Sequence, residues 1–331
     1  MPHTKSYFSG PFAPMCEVFV TQRRAMGRQY KQQAMLLRMF DNFSKSYNIR
    51  DFTIPQELAS AWSRKRPNEA ESSRYSRVGE MLRFAEFLSR QGYPSYLPQI
   101  KTSRKSLHVP YIFTAREIDL ILNYVSSLEP TNASPVMHLS LPTIIKILYG
   151  SGLRISEALA LQVRDVDLDR GVLHIRRGKN DRERLVPLST SLAEICRAYA
   201  AQALKGVNDF APFFFNRRRE PYSAGFFGKH FRQILWEVGI PYRGKDRGPR
   251  LHDLRHTFVC HRLNKWADEN ADLNAMLPVL SAYLGHSNLN STYYYLKLTA
   301  EVYPNITSAL EAKVGHIFPE INHLIGETAH D

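Results

Sequence analysis

Apolar residues in the first third of the chain recur at helical spacing. Phe19, Met26, Tyr30, Leu37, Phe40 and Tyr47 follow one another at steps of three, four or seven, which predicts a helix over 13–48. Arg23, Arg24, Arg28, Lys31 and Arg38 are interleaved with them. Pro55 can open a second helix running to about Arg66. Asn68 and Glu71 have capping-box spacing and predict the start of a third, with apolar positions Tyr75, Val78, Leu82, Phe84 and Leu88 and a stop at Gly92. The expected product is a small helical bundle whose surface is basic through Arg64, Lys65, Arg66, Arg74 and Arg77. Residues 93–110 lose the helical period and combine Pro94, Pro98 and Pro110 with Lys101, Arg104 and Lys105, the composition of a basic linker.

Beyond that linker the pattern is mixed. Thr114 with Glu117 caps a helix bearing Ile118, Ile121, Leu122 and Val125. Pro142 to Tyr149 reads as a buried helix stopped at Gly150, and Ile155 to Leu161 as a short one. The period then changes to two, predicting strands at Val163 to Leu168, Val172 to Arg176 and Arg184 to Leu188. Asp169-Arg170-Gly171 and Gly178-Lys179-Asn180-Asp181 turn the two hairpins. Helical pattern resumes from Ser191 and returns at 226–238, near Leu251, and at 274–284, 288–297 and 305–314. The fold class expected is mainly α with a small antiparallel β-sheet. Two domains are expected: residues 1–108, with the linker from about 93, and residues 109–331, with a C-terminal tail from about 300.

Composition narrows the class of partner. A hydrophobic fraction of 44% and a charged fraction of 23% over 331 residues suit a globular protein. No apolar run approaches the ~18 residues a membrane span needs, and the N-terminus lacks the apolar core of a signal peptide. Cys16, Cys196 and Cys260 are odd in number and widely spaced, as expected of free thiols in a reducing, cytoplasmic compartment. The net charge of +13 is uneven: residues 1–110 carry +10 and residues 111–331 only +3. Such an excess on one domain suits a polyanion, nucleic acid first.

Four pieces of the second domain carry chemistry. In Gly150-Ser-Gly-Leu-Arg154-Ile-Ser-Glu157 a glycine stop is followed by an arginine at a fresh helix start, a setting suited to an oxyanion. Glu157 can hold Arg154 by a helical ion pair. In Leu251-His252-Asp-Leu-Arg255-His256 an imidazole and a guanidinium share one helical face, suited to proton transfer and charge neutralisation at a phosphate. Leu284-Gly285-His286 is followed, nine residues after the histidine, by Tyr295, the last of three consecutive tyrosines. Neighbouring helical residues point ~100° apart, so Tyr293, Tyr294 and Tyr295 cannot all face one core. Lys179 sits at the tip of the second hairpin, where it can reach over a ligand and protonate a leaving oxygen. Each piece also has a plain structural reading, as a surface ion pair, a polar face, core aromatics or a solvated lysine.

Two metal motifs fail. His252, His256 and Cys260 share a face, but the residue after the first histidine is Asp253 where the catalytic zinc helix has glutamate. Asp165, Asp167, Asp169 and Gly171 imitate a calcium loop, yet the glycine falls at position seven and Arg176 at position twelve. No metal or other cofactor is expected.

In order and spacing, the four pieces together resemble the tyrosine recombinase (phage integrase) family over roughly residues 111–300. The resemblance implies a helical core-binding domain and a catalytic domain that clamp DNA between them. It implies that Arg154 and Arg255 bind the non-bridging oxygens of the scissile phosphate and that Lys179, eight residues before Pro187, is the general acid to the leaving 5′ oxygen. His252 would assist proton transfer at the nucleophile, His286 would hydrogen-bond the phosphate, and Tyr295 would be the nucleophile. Glu157 and Asp165 look structural. The implied activity is site-specific recombination through a covalent 3′-phosphotyrosyl intermediate, for integration, excision or transposition of a mobile element. The implied partners are double-stranded DNA bearing recombination sites and three further copies of the chain, forming a tetramer on DNA from protomers that can be monomeric in solution. The alternative is a catalytically inactive DNA-binding protein that keeps the fold. The tail from about 300 would dock on a neighbouring protomer or on its own domain.

Overall fold

The computed structural model describes residues 7–27, 29–99, 109–132, 135–176, 183–241, 248–286, 292, 294–296 and 298–299. The chain divides into two compact units, Met1–Leu107 and His108–Asp331.

The first unit is helical: α1 (Ala13–Ala25), α2 (Lys31–Phe43), α3 (Gln56–Ser63) and α4 (Glu71–Arg90), with a 3-10 turn at Ser44–Ser46. The single helix expected over 13–48 is broken. Gly27 and Tyr30 take left-handed backbone angles (φ +78° and +50°), so the chain turns back and α1 packs on α2. Met26, expected on the apolar face, is consequently 66% exposed. The core is aromatic, with Phe84 edge-on to Phe12, Phe19 and Phe40. The buried carboxylate of Asp41 on α2 accepts from the backbone N–H groups of Ser9, Gly10 and Phe12 at 3.0, 2.7 and 3.0 Å. It thereby satisfies backbone donors at and just ahead of the start of α1, whose N-cap residue Phe12 makes no side-chain cap. The start of α4 also differs from expectation. Asn68 is left-handed, Ala70 precedes the helix, and Glu71 pairs with Lys65 and Arg74.

Arg77 is corrected from surface to interior. Its side chain is 3% exposed and its guanidinium binds Glu69 through two bonds of 2.8 Å. It also donates to the carbonyls of Trp62 and Arg64 and lies 4.8 Å from the Trp62 ring centroid. The Arg77 bond holds the Glu69 carboxyl down at about 2 against the opposing effect of its desolvation. One of the cations counted toward the basic surface is therefore committed internally.

The second unit holds α5 (Ala115–Ser126), α6 (Met137–Ser151), α7 (Ile155–Leu159), β1 (Val166–Asp167), β2 (Val172–Ile175), β3 (Arg184–Pro187), α8 (Thr190–Ala203), α9 (Ala224–Glu237), α10 (Asp253–Asp268) and α11 (Leu273–Leu284). Residues 292, 294–296 and 298–299 are helical. The Thr114/Glu117 capping box forms, and Ser189 and Ser223 cap α8 and α9. Helix α6 is the centre: almost wholly apolar, it contacts α5, α7, α8 and α10. It runs through Gly150 and ends at Gly152, whose φ of +62° reverses the chain. A Cβ at Gly152 would stand 2.5 Å from the Phe258 ring, so only glycine lets α10 approach this turn.

The sheet has the order β1-β2-β3, both pairs antiparallel, with Leu173 opposite Val166 and Val186. The first strand is shorter than expected. Asp165 accepts from the Gln162 N–H at 3.0 Å and closes a 3-10 turn over Val163–Asp165 instead. The hairpin tip at 177–182, with Lys179, lies outside the described residues, as do Tyr293 and everything from residue 300. Among the described residues, no helix is long and apolar enough to cross a membrane.

Because Arg77 is the buried partner of Glu69, Arg77→Met should lower stability by about 3 kcal/mol, leaving the carboxylate uncompensated. Urea unfolding checks this, and a loss below about 0.5 kcal/mol, typical of surface changes, would return Arg77 to the surface.

Candidate active site

Two glycine turns and one buried arginine bring distant segments together. Gly152 ends α6 and Gly285 ends α11, both left-handed. Between them, Arg255 on the first turn of α10 is 2% exposed. Its Nη1 donates to the Gly152 carbonyl at 2.6 Å and its Nη2 to the Leu284 carbonyl at 2.9 Å. The same Nη2 lies 3.0 Å from His286 Nε2. Arg255 thus ties three of the four sequence pieces to one point. Burial lowers its pKa to about 10, with a further push from the nearby Arg154 guanidinium, and it stays charged at neutral pH.

Arg154 stands just ahead of α7. Its backbone N–H donates to Glu157 Oε2 at 3.1 Å and its Nη1 to Oε1 at 2.8 Å. Glu157 is 3% exposed and is shared with a second cation, Arg184 on β3. Burial pushes the Glu157 carboxyl up, but its bonds with Arg184 and Arg154 outweigh this and hold it below the ordinary value.

The tautomer of His286 follows from its partners. A guanidinium only donates, so Nε2 accepts from Arg255, and Nδ1 carries the proton and donates to Thr292 Oγ1 at 2.9 Å. Thr292 is buried, as is Tyr295 at 4% exposure, whereas Tyr294 is 40% exposed. The Tyr295 ring lies parallel to His286, 5.9 Å away with 4° between planes, and 5.4 Å from the His256 ring. The His256 ring in turn meets His252 edge-on at 4.8 Å. Burial raises the Tyr295 phenol and Arg255 opposes that rise. The protein crowded around His252, then the Arg255 and Arg154 guanidiniums, press its pKa to about 4. His252 is exposed to solvent, yet at neutral pH it is an uncharged imidazole, able to accept a proton.

The cluster therefore joins Arg154, His252, Arg255, His286 and Tyr295. Asp165 lies elsewhere, paired with Arg176. Among the described residues, no group of three or more His, Cys, Asp or Glu side chains is placed to hold a metal ion. Sequence reasoning missed Arg184, His256 as a ring between His252 and Tyr295, and Thr292. Thr292, six residues after His286 and three before Tyr295, and His256, one helical turn after His252, stood close enough in the chain to be suspected, whereas Arg184 did not.

The phage integrase family matches residues 112–301, more than half of the chain, and the chain belongs to that family. Its relatives define the kind of enzyme. It is 32% identical to the putative integrase/recombinase y4rE of Sinorhizobium fredii over 288 residues, covering 85% of this chain and 89% of that one. It is 32% identical to the tyrosine recombinase XerA of Thermococcus kodakarensis over 217 residues, 64% of this chain and 66% of the relative. Two solved structures share the fold. The XerH site-specific recombinase in a post-cleavage complex with palindromic difH substrate has a TM-score of 0.59 at 20% identity, covering 84% and 78% of the two chains. The Tn1549 transposon integrase in complex with transposon right end DNA has a TM-score of 0.58 at 17% identity, covering 85% and 94%. The chain is a tyrosine-type site-specific recombinase.

The His252 assignment is open to direct measurement. In histidine-labelled protein its imidazole should titrate near 4, against an ordinary value of 6.5. Arg154→Ala should raise that value by removing a repelling cation. Over this interval the unfolded chain binds a proton that the folded chain does not, so His252 makes stability fall as pH drops from about 6.5 toward 4. A resonance titrating at the ordinary value would place His252 outside the influence of the two guanidiniums.

Proposed function

We propose that this enzyme cuts and rejoins double-stranded DNA through a covalent bond to Tyr295. The observation that carries the reading is the convergence of Arg255, His286 and Tyr295 on one point, with Arg154 and His252 beside it. The phenol attacks the scissile phosphorus and its proton passes to neutral His252. The bond to the 5′ oxygen breaks, and Lys179 gives that oxygen its proton. The products are a 3′-phosphotyrosyl link and a free 5′-hydroxyl. A 5′-hydroxyl from a second strand reverses the step, so the phosphodiester energy is conserved and no external energy source is needed.

Arg154 and Arg255 each take a non-bridging oxygen and stabilise the pentavalent transition state. His286 binds the same phosphate. Its Nε2 now accepts from Arg255, so donating from that nitrogen requires a proton to be taken up as the phosphate engages. Tyr295 is buried, so attack also requires its surroundings to open. The +10 charge of residues 1–110 serves as a sequence-tolerant grip on the DNA backbone. Exchange between two duplexes, each cut on both strands, calls for four nucleophiles and hence a tetramer on DNA. The integrase/recombinase name of the Sinorhizobium fredii relative supports a role in moving a genetic element.

The test uses the full chain and nicked duplexes tiling the DNA that flanks its gene, with covalent complexes trapped by detergent. The unaltered chain should form one with or without EDTA, Tyr294→Phe should still form it, and Tyr295→Phe should not. Arg154→Ala or Arg255→Ala should cost about 3 kcal/mol at the transition state while largely sparing DNA affinity. A covalent complex with Tyr295→Phe would sink the assignment. DNA bound without covalent complex by the unaltered chain would point to an inactive DNA-binding protein.

A further inference from the structure

The buried carboxylate of Glu157 does not serve Arg154 alone. Arg184 Nη1 and Nη2 reach Glu157 Oε1 and Oε2 at 3.2 and 2.9 Å. Arg184 Nε donates to the Tyr283 carbonyl at 2.9 Å, in the last turn of α11. The Arg184 side chain is 10% exposed and the Glu157 side chain 2%, so this contact is largely removed from water. At the neighbouring turn, a Cβ on Gly285 would stand 2.8 Å from Arg184 Nη1, so the residue that precedes His286 packs directly on this guanidinium. One side chain from a β-strand therefore contacts both the holder of Arg154 and the turn that carries His286.

Charge accounting gives this contact a consequence. Paired only with Arg154, a buried Glu157 would cancel the positive charge that a phosphate needs to meet. With Arg184 present, two cations share one anion and a net positive charge remains. Glu157 can then fix the direction of Arg154 without neutralising it. We propose that Arg184 is a positioning residue for strand cleavage: it balances Glu157 so that Arg154 stays available to the phosphate, and it sets the turn ahead of His286. Arg184 touches neither the phosphate nor the nucleophile in this scheme. The inference rests on the phosphate-binding role of Arg154 proposed above.

The experiment measures single-turnover covalent-complex formation on the nicked duplex that the unaltered chain cleaves, with DNA affinity and thermal unfolding measured alongside. Arg184→Gln should slow cleavage about 100-fold, the scale of losing one charge-stabilising group, with little change in DNA affinity. Arg184→Lys keeps the charge and should stay within about fivefold of the unaltered chain, a smaller loss than removing that group. The decisive variant is Arg184→Gln with Glu157→Gln. It removes anion and counter-cation together, restores the net charge, and should recover cleavage at least about tenfold over Arg184→Gln. A packing role predicts the opposite, since two interior groups are then lost. The proposal is overturned if the double variant is no better than Arg184→Gln, or if Arg184→Lys is as slow as Arg184→Gln. If Arg184→Gln is too unstable to assay, the comparison of Arg184→Lys and the folded double variant with the unaltered chain decides it. Arg154→Ala and Tyr295→Phe run in parallel: if Tyr295→Phe still cleaves or Arg154→Ala cleaves as fast as the unaltered chain, the function assigned to the site has failed, whereas if Tyr295→Phe is inert, Arg154→Ala is slowed and Arg184→Gln is fully active, only the role of Arg184 has failed.

Discussion

The second unit depends on keeping a charged guanidinium inside protein. Arg255 is almost fully buried, and a buried charge is tolerated only where its donors are met. Its partners are the carbonyls of Gly152 and Leu284 and the ring of His286. The two carbonyls lie at helix ends, where orphan acceptors are in supply. The turns presenting them are left-handed glycines, one of them closed against Phe258 and the other against Arg184. The interaction that stabilises the fold is thus also the one that assembles the site, and α6, α10 and α11 must dock correctly before Arg255 has any partners.

This arrangement relates electrostatics to chemistry. Burial, and after it the guanidiniums near one another, lower both the Arg255 and the His252 pKa. The positive potential that adds to burial in keeping His252 neutral also favours an anion at the same place. Tyr295 feels the opposing influences of burial and Arg255. In the reaction proposed above, hydrogen bonds within the protein occupy the groups that would receive the phosphate until it engages. Binding then exchanges one set of partners for another, which limits the net free energy of binding and favours the charge developed in the transition state.

Much of this was legible in the chain. The Thr114 capping box, the antiparallel hairpins and most helices of the second unit follow from local pattern, because caps and period-two alternation act over a few residues. Local pattern failed where tertiary contacts decide. The helical period persists across Gly27 and Tyr30, yet the chain reverses there to close an aromatic core. Arg77 reads as surface charge, but Glu69 and two carbonyls draw it inward. Gly150 and Gly152 are equally good stops in sequence, and packing against Phe258 selects the second.

The sequence by itself determined the fold class and the uneven charge and, through four short pieces whose order and spacing resemble one family, pointed to Arg154, His252, Arg255, His286 and Tyr295 as the centre of the candidate site. Those features are local or additive, so they survive without coordinates. The tertiary structure decided which groups hold those residues. The Arg184–Glu157 pair spans 27 positions and the Arg255–Gly152 bond 103, separations at which no local periodicity carries information. It also decided the protonation of the site. The His286 tautomer and the neutral His252 depend on partners and desolvation, which exist only once the chain is folded.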